Sequence, residues 1–82
     1  MFVVILLMGQ NRYARERWEQ LPEVVEYQGL GFTLRAGPRQ PQATTQVWEP
    51  VAIYAPHALT EDEFKEIYEL NRHHIVELSL EY

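Results

Sequence analysis

Chemistry-bearing side chains are sparse in this chain, and their spacing completes no familiar site. The three histidines are His57, His73 and His74. His73 and His74 are adjacent, so both cannot point the same way. No cysteine or regularly spaced carboxylate completes a metal set around them. His73 is expected to serve the end of a helix. Ser79 is the single serine, and no base with an orienting acid is legible beside it. No catalytic residue, metal ligand or cofactor fingerprint is therefore assigned.

Three other groupings carry more. Gly9–Gln10–Asn11–Arg12 follows an apolar run and is expected to open a helix, so its N–H groups are a weak candidate for anion binding through Gln10, Asn11 and Arg12. It lacks the glycines and the lysine of a phosphate loop. Glu61, Asp62, Glu63, Glu66 and Glu69 make an acidic helix. The plain reading is a solvated face, supported by Lys65 at four residues from both Glu61 and Glu69. The sharper reading is a docking surface for a basic partner, with phosphate mimicry as its extreme. Trp48 and Tyr54 fall where a central strand would show them outward, and are expected to anchor a partner.

The totals restrict these readings. Eighty-two residues make one domain, spanning 1–82. At 46% hydrophobic and 23% charged the chain has the makeup of a folded globule, not of a disordered tail. Lacking cysteine, it gains nothing from disulfides, so an oligomeric interface is the expected support for a small core. The net charge of −5 is uneven. Residues 1–41 hold five arginines against four glutamates, and residues 42–82 hold two cations against eight acids. An acidic chain repels phosphate backbones, which disfavours direct nucleic-acid binding. The apolar start is too short for a membrane span and lacks the basic flank of a signal peptide, so a cytoplasmic protein without membrane contact is expected.

The elements that must position these residues are read from periodicity. Phe2 to Met8 is seven apolar residues in a row, the pattern of a strand buried on both faces. Ala14, Trp18 and Leu21 follow at i, i+4 and i+7, which predicts a helix capped by Asn11 and ended before Pro22. Val25 and Tyr27 share one parity, and Leu30, Phe32 and Leu34 the other. This predicts one strand over 24–35 with a bulge at Gly29 or Gly31. Residues 36–45 read as a long loop and 46–55 as a third strand.

Thr60 to Glu63 is a capping box with Leu59 and Phe64 as hydrophobic staple, which predicts a helix over 60–72. Val76, Leu78, Leu80 and Tyr82 alternate with polar residues, which predicts a closing strand.

The order β-α-β-β-α-β resembles the ferredoxin-like split βαβ arrangement: an α+β antiparallel sheet with both helices on one face. That resemblance implies an open second face, where Trp48 and Tyr54 would lie. The expected function is a small acidic, non-catalytic interaction or regulatory protein. It would form a homodimer or bind a larger protein through that face, acting as an inhibitor if the acidic helix takes part. The alternative is a dimeric α+β-barrel small-molecule binder or enzyme, with Tyr13, Tyr27, Tyr68 and His57 as candidate acid–base groups.

Overall fold

The computed structural model describes residues 1–9, 12–39, 49–73, 75 and 78. Among these residues five strands and one helix follow in the order β1 (Phe2–Gly9), β2 (Arg12–Trp18), β3 (Val24–Tyr27), β4 (Leu30–Arg39), β5 (Val51–Pro56) and α1 (Glu61–Asn71). The strands form one mixed, curled sheet in the order β2-β1-β5-β4-β3, with α1 against one face. This is a half-barrel and not the ferredoxin-like fold, because the segment expected to be the first helix is a strand. β1 and β5 are internal neighbours and run parallel, so the sheet is mixed and not antiparallel as expected.

The first difference lies in 12–18. Ala14 and Trp18 are four apart, a spacing that satisfies the helical period and the strand period alike. Paired antiparallel to β1, the stretch sets Ala14 opposite Leu6 and Trp18 opposite Phe2, and both pack on one face. Arg12, Arg15 and Arg17 are exposed. A strand against β1 gives the seven-residue apolar run a hydrogen-bonded neighbour on each side.

The second difference lies in 24–39. The change of parity marks a hairpin, not a bulge. Gln28 and Gly29 take φ of 52° and 81°, the left-handed pair of a two-residue turn whose backbone twist matches the strands. Tyr27 then faces Leu30 and Val25 faces Phe32, so the two parities share a face. The bulge occurs further on, between Leu34 and Ala36, and leaves Arg35 without a partner on β5. Of the expected closing strand only Ile75 and Leu78 are among the described residues, and neither is in a strand. Leu78 is helical and its N–H donates to the Ile75 carbonyl (3.0 Å). Val76, Leu80 and Tyr82 lie outside the described residues.

Each face of the sheet carries its own core. Ile5, Leu7, Val51, Ile53 and Ala55 meet Phe64, Ile75 and Leu78 on the helix side. Val4, Leu6, Ala52, Tyr54 and Phe32 form the other cluster, joined by Trp18, Leu21, Val25, Tyr27 and Leu34. The second cluster is covered because β2 and β3 are opposite edges joined by only 19–23. Four strand gaps of roughly 4.8 Å span about 19 Å. Six extended residue steps reach about 20 Å. Trp18 and Val24 are also offset along the strands, so the link spans the sheet only by running straight over it with the sheet curled. We refer to it as the strap.

Candidate functional site

The strap meets the sheet at Tyr54. The Tyr54 hydroxyl donates to the Pro22 carbonyl, Leu21 packs among the inner residues, and the Leu34 N–H donates to the Glu23 carbonyl (2.9 Å). The Trp18 ring lies edge-on to Tyr54 at 5.3 Å. Tyr54 is fully buried, and burial pushes its phenol above the ordinary tyrosine range. The expectation that Tyr54 lies outward on an open face is thus corrected: Tyr54 is buried, and 19–23 lies over it. Trp48, its expected companion, lies outside the described residues.

The anion-binding expectation loses its frame. Gly9 and Arg12 are opposite one another in a β-hairpin, so no helix N-terminus stands there. Gln10 and Asn11 lie outside the described residues, and Arg12 is exposed on β2. The four acid–base candidates do not converge. Tyr13 and Tyr68 border the helix-side cluster, Tyr27 packs edge-on to Phe32 on the other face, and His57 is exposed in a turn. Among the described residues no group of three or more His, Asp or Glu side chains could hold a metal ion.

The acidic helix is where residues gather. The Thr60 hydroxyl accepts from the Glu63 N–H (3.2 Å), and the Glu63 carboxylate accepts from the Thr60 N–H (3.0 Å). The Thr60 N–H above all, with the Thr60 hydroxyl beside it, stabilises the ionised Glu63 carboxylate and holds it below its ordinary range. Leu59 and Phe64 both join the helix-side cluster, as a staple should.

Phe64, Ile67, Tyr68 and Asn71 turn inward or half inward. At 100° per residue, Asp62, Glu66 and Glu69 then fall on the opposite side, and all three are exposed. Glu61 is exposed too, but Arg35 engages it (3.2 Å), and Arg72 lies 3.6 Å from Glu69. Among the described residues no cation pairs with Asp62 or Glu66.

Two polar side chains, neither of which the sequence assigns to this role, fix this helix to the sheet. Arg35, redirected by the bulge, is only 10% exposed. It donates to the carbonyls of Pro56 (2.9 Å) and Leu59 (2.7 Å), and its guanidinium lies 5.7 Å from the centre of the Phe64 ring. It thus ties β4 to the turn that starts α1. At the other end Asn71 is fully buried and donates to the Gly9 carbonyl (2.9 Å) and the Ile67 carbonyl (2.8 Å). An arginine just after an apolar alternation and an asparagine on the inward side of a helix are the available signals, and neither names its partner.

A shallow groove of about 260 Å³ runs between α1 and β4, lined among the described residues by Ala36, Phe64, Lys65, Tyr68 and Glu69. No described helix is long and apolar enough to cross a membrane. The chain matches no protein-family model, no curated protein and no solved structure.

Proposed function

We propose that the chain is a small non-catalytic binding domain that docks a basic protein partner on α1. The observation that supports this reading best is the outward row of Asp62, Glu66 and Glu69 on a helix clamped at both ends, by Arg35 and by Asn71. Like charges at i+3 and i+4 cost an isolated helix a few tenths of a kcal/mol per pair. Here the capping box and the buried side chains carry that cost. A rigid row of carboxylates attracts a basic surface from a distance and sets its register on contact. The sheet face carrying Tyr54 does not serve this role, because the strap covers it.

The test is affinity capture from the native host at low salt, with the wild-type chain and with Asp62→Lys combined with Glu66→Lys. Circular dichroism establishes that both fold alike. A basic protein retained by the wild type, released at about 1 M salt where the Debye length is near 3 Å, and absent from the variant supports the reading. Identical captures by the two chains contradict it.

A further inference from the structure

We propose that the groove beside α1 receives one apolar side chain of the same partner, so that the recognised segment is a basic stretch built around a single apolar anchor. This rests on α1 being the docking element. The groove floor is aromatic: Phe64 and Tyr68 lie edge-to-face at 6.0 Å. Its far wall is β4 at Ala36, a small residue, and a longer side chain there would fill the space.

At about 260 Å³ the groove lies below the usual range of small-molecule pockets, roughly 300–1,000 Å³, and holds one leucine- or phenylalanine-sized side chain. Its outer rim is Glu69, and Glu66 and Asp62 stand on the same outer side of the helix. An anchor seated against Phe64 and Tyr68 therefore brings flanking cations over carboxylates. An acidic segment carrying the same anchor would meet repulsion instead. Lys65 is the cation on the rim. Its stem walls the groove, while its charge opposes a basic guest.

The probes are two capped synthetic peptides: one leucine flanked on each side by two lysines, and the same peptide with glycine for leucine. Each is titrated into the full chain and followed by amide chemical shifts. The leucine peptide should bind about tenfold tighter or more, the gain expected from burying one such side chain. It should shift the amides of Ala36, Phe64 and Tyr68. Ala36→Leu should erase the leucine advantage while leaving the glycine peptide unaffected, and Lys65→Glu should tighten both.

Equal binding of the two peptides, with shifts confined to Asp62, Glu66 and Glu69, overturns this inference and leaves the docking reading standing. Binding of neither peptide overturns both. Should Ala36→Leu fail to fold, the peptide pair and Lys65→Glu decide the matter without it.

Discussion

The two faces of the sheet are equally buried and are covered in opposite ways. On one, an eleven-residue helix brings its own caps, a staple and two polar clamps. On the other, five residues with one inward apolar side chain, Leu21, cross from edge to edge and are fastened at Tyr54 and Leu34. The helix is a regular element whose signals are local. The strap is irregular chain whose role is set by what it crosses. A short link can close an apolar face when the strands it joins are the two edges of a curled sheet, and such a cover leaves almost no trace in periodicity.

The largest expected effect tests whether the strap side is true core. Phe32→Ala should destabilise the domain by about 3–5 kcal/mol, the usual loss for a buried phenylalanine. A loss below 1 kcal/mol in chemical denaturation would show that face to be open.

Next comes the helix side. Arg35→Leu removes three charge-assisted contacts and leaves the Pro56 and Leu59 carbonyls without that donor, which should cost about 2 kcal/mol. Hydrogen exchange should show α1 loosening before the strands. Uniform loosening of the whole sheet would mean that Arg35 does not specifically hold the helix.

Tyr54→Phe removes the strap's side-chain anchor and should cost about 1 kcal/mol. Its pH signature distinguishes it from a packing defect. The folded phenol is raised, so its contribution is complete below the ordinary value of about 10 and is lost as pH rises toward and through the folded value. Wild-type stability should fall over that alkaline range. The phenylalanine variant should lack the part of that fall due to this phenol.

The cap has an effect of the same order. Thr60→Ala should cost about 1 kcal/mol, with an unchanged denaturant slope. The folded Glu63 carboxyl is lowered, so its contribution is present above the ordinary carboxylate range and is lost as pH falls through the folded value. Glu63→Gln should flatten that part of the acid limb in a pH series of melts. An acid limb identical to the wild type would place the helix start elsewhere.

Legibility follows the same division. The capping box at Thr60 and Glu63 was readable because every group in it lies within four residues. The apolar run of β1 was readable because both its faces are buried. The Ala14–Trp18 spacing fits two periods, and only pairing with β1 decides between them. In the sequence Gln28–Gly29 fits a bulged strand as well as a turn, because a change of parity has both causes. The acidic residues of the site were legible as a row. Their clamps were not, since Arg35 finds its carbonyls more than twenty residues away and Asn71 finds Gly9 more than sixty away.

The central claim is that 19–23 lies across the sheet and seals the face carrying Tyr54. Nuclear Overhauser contacts in solution test it most directly. Strong contacts from the Tyr54 ring to Pro22 and Trp18 are expected, with cross-strand contacts pairing 12–18 to β1. A Tyr54 ring without contacts to 19–23, together with helical i to i+3 contacts over 12–18, would contradict it.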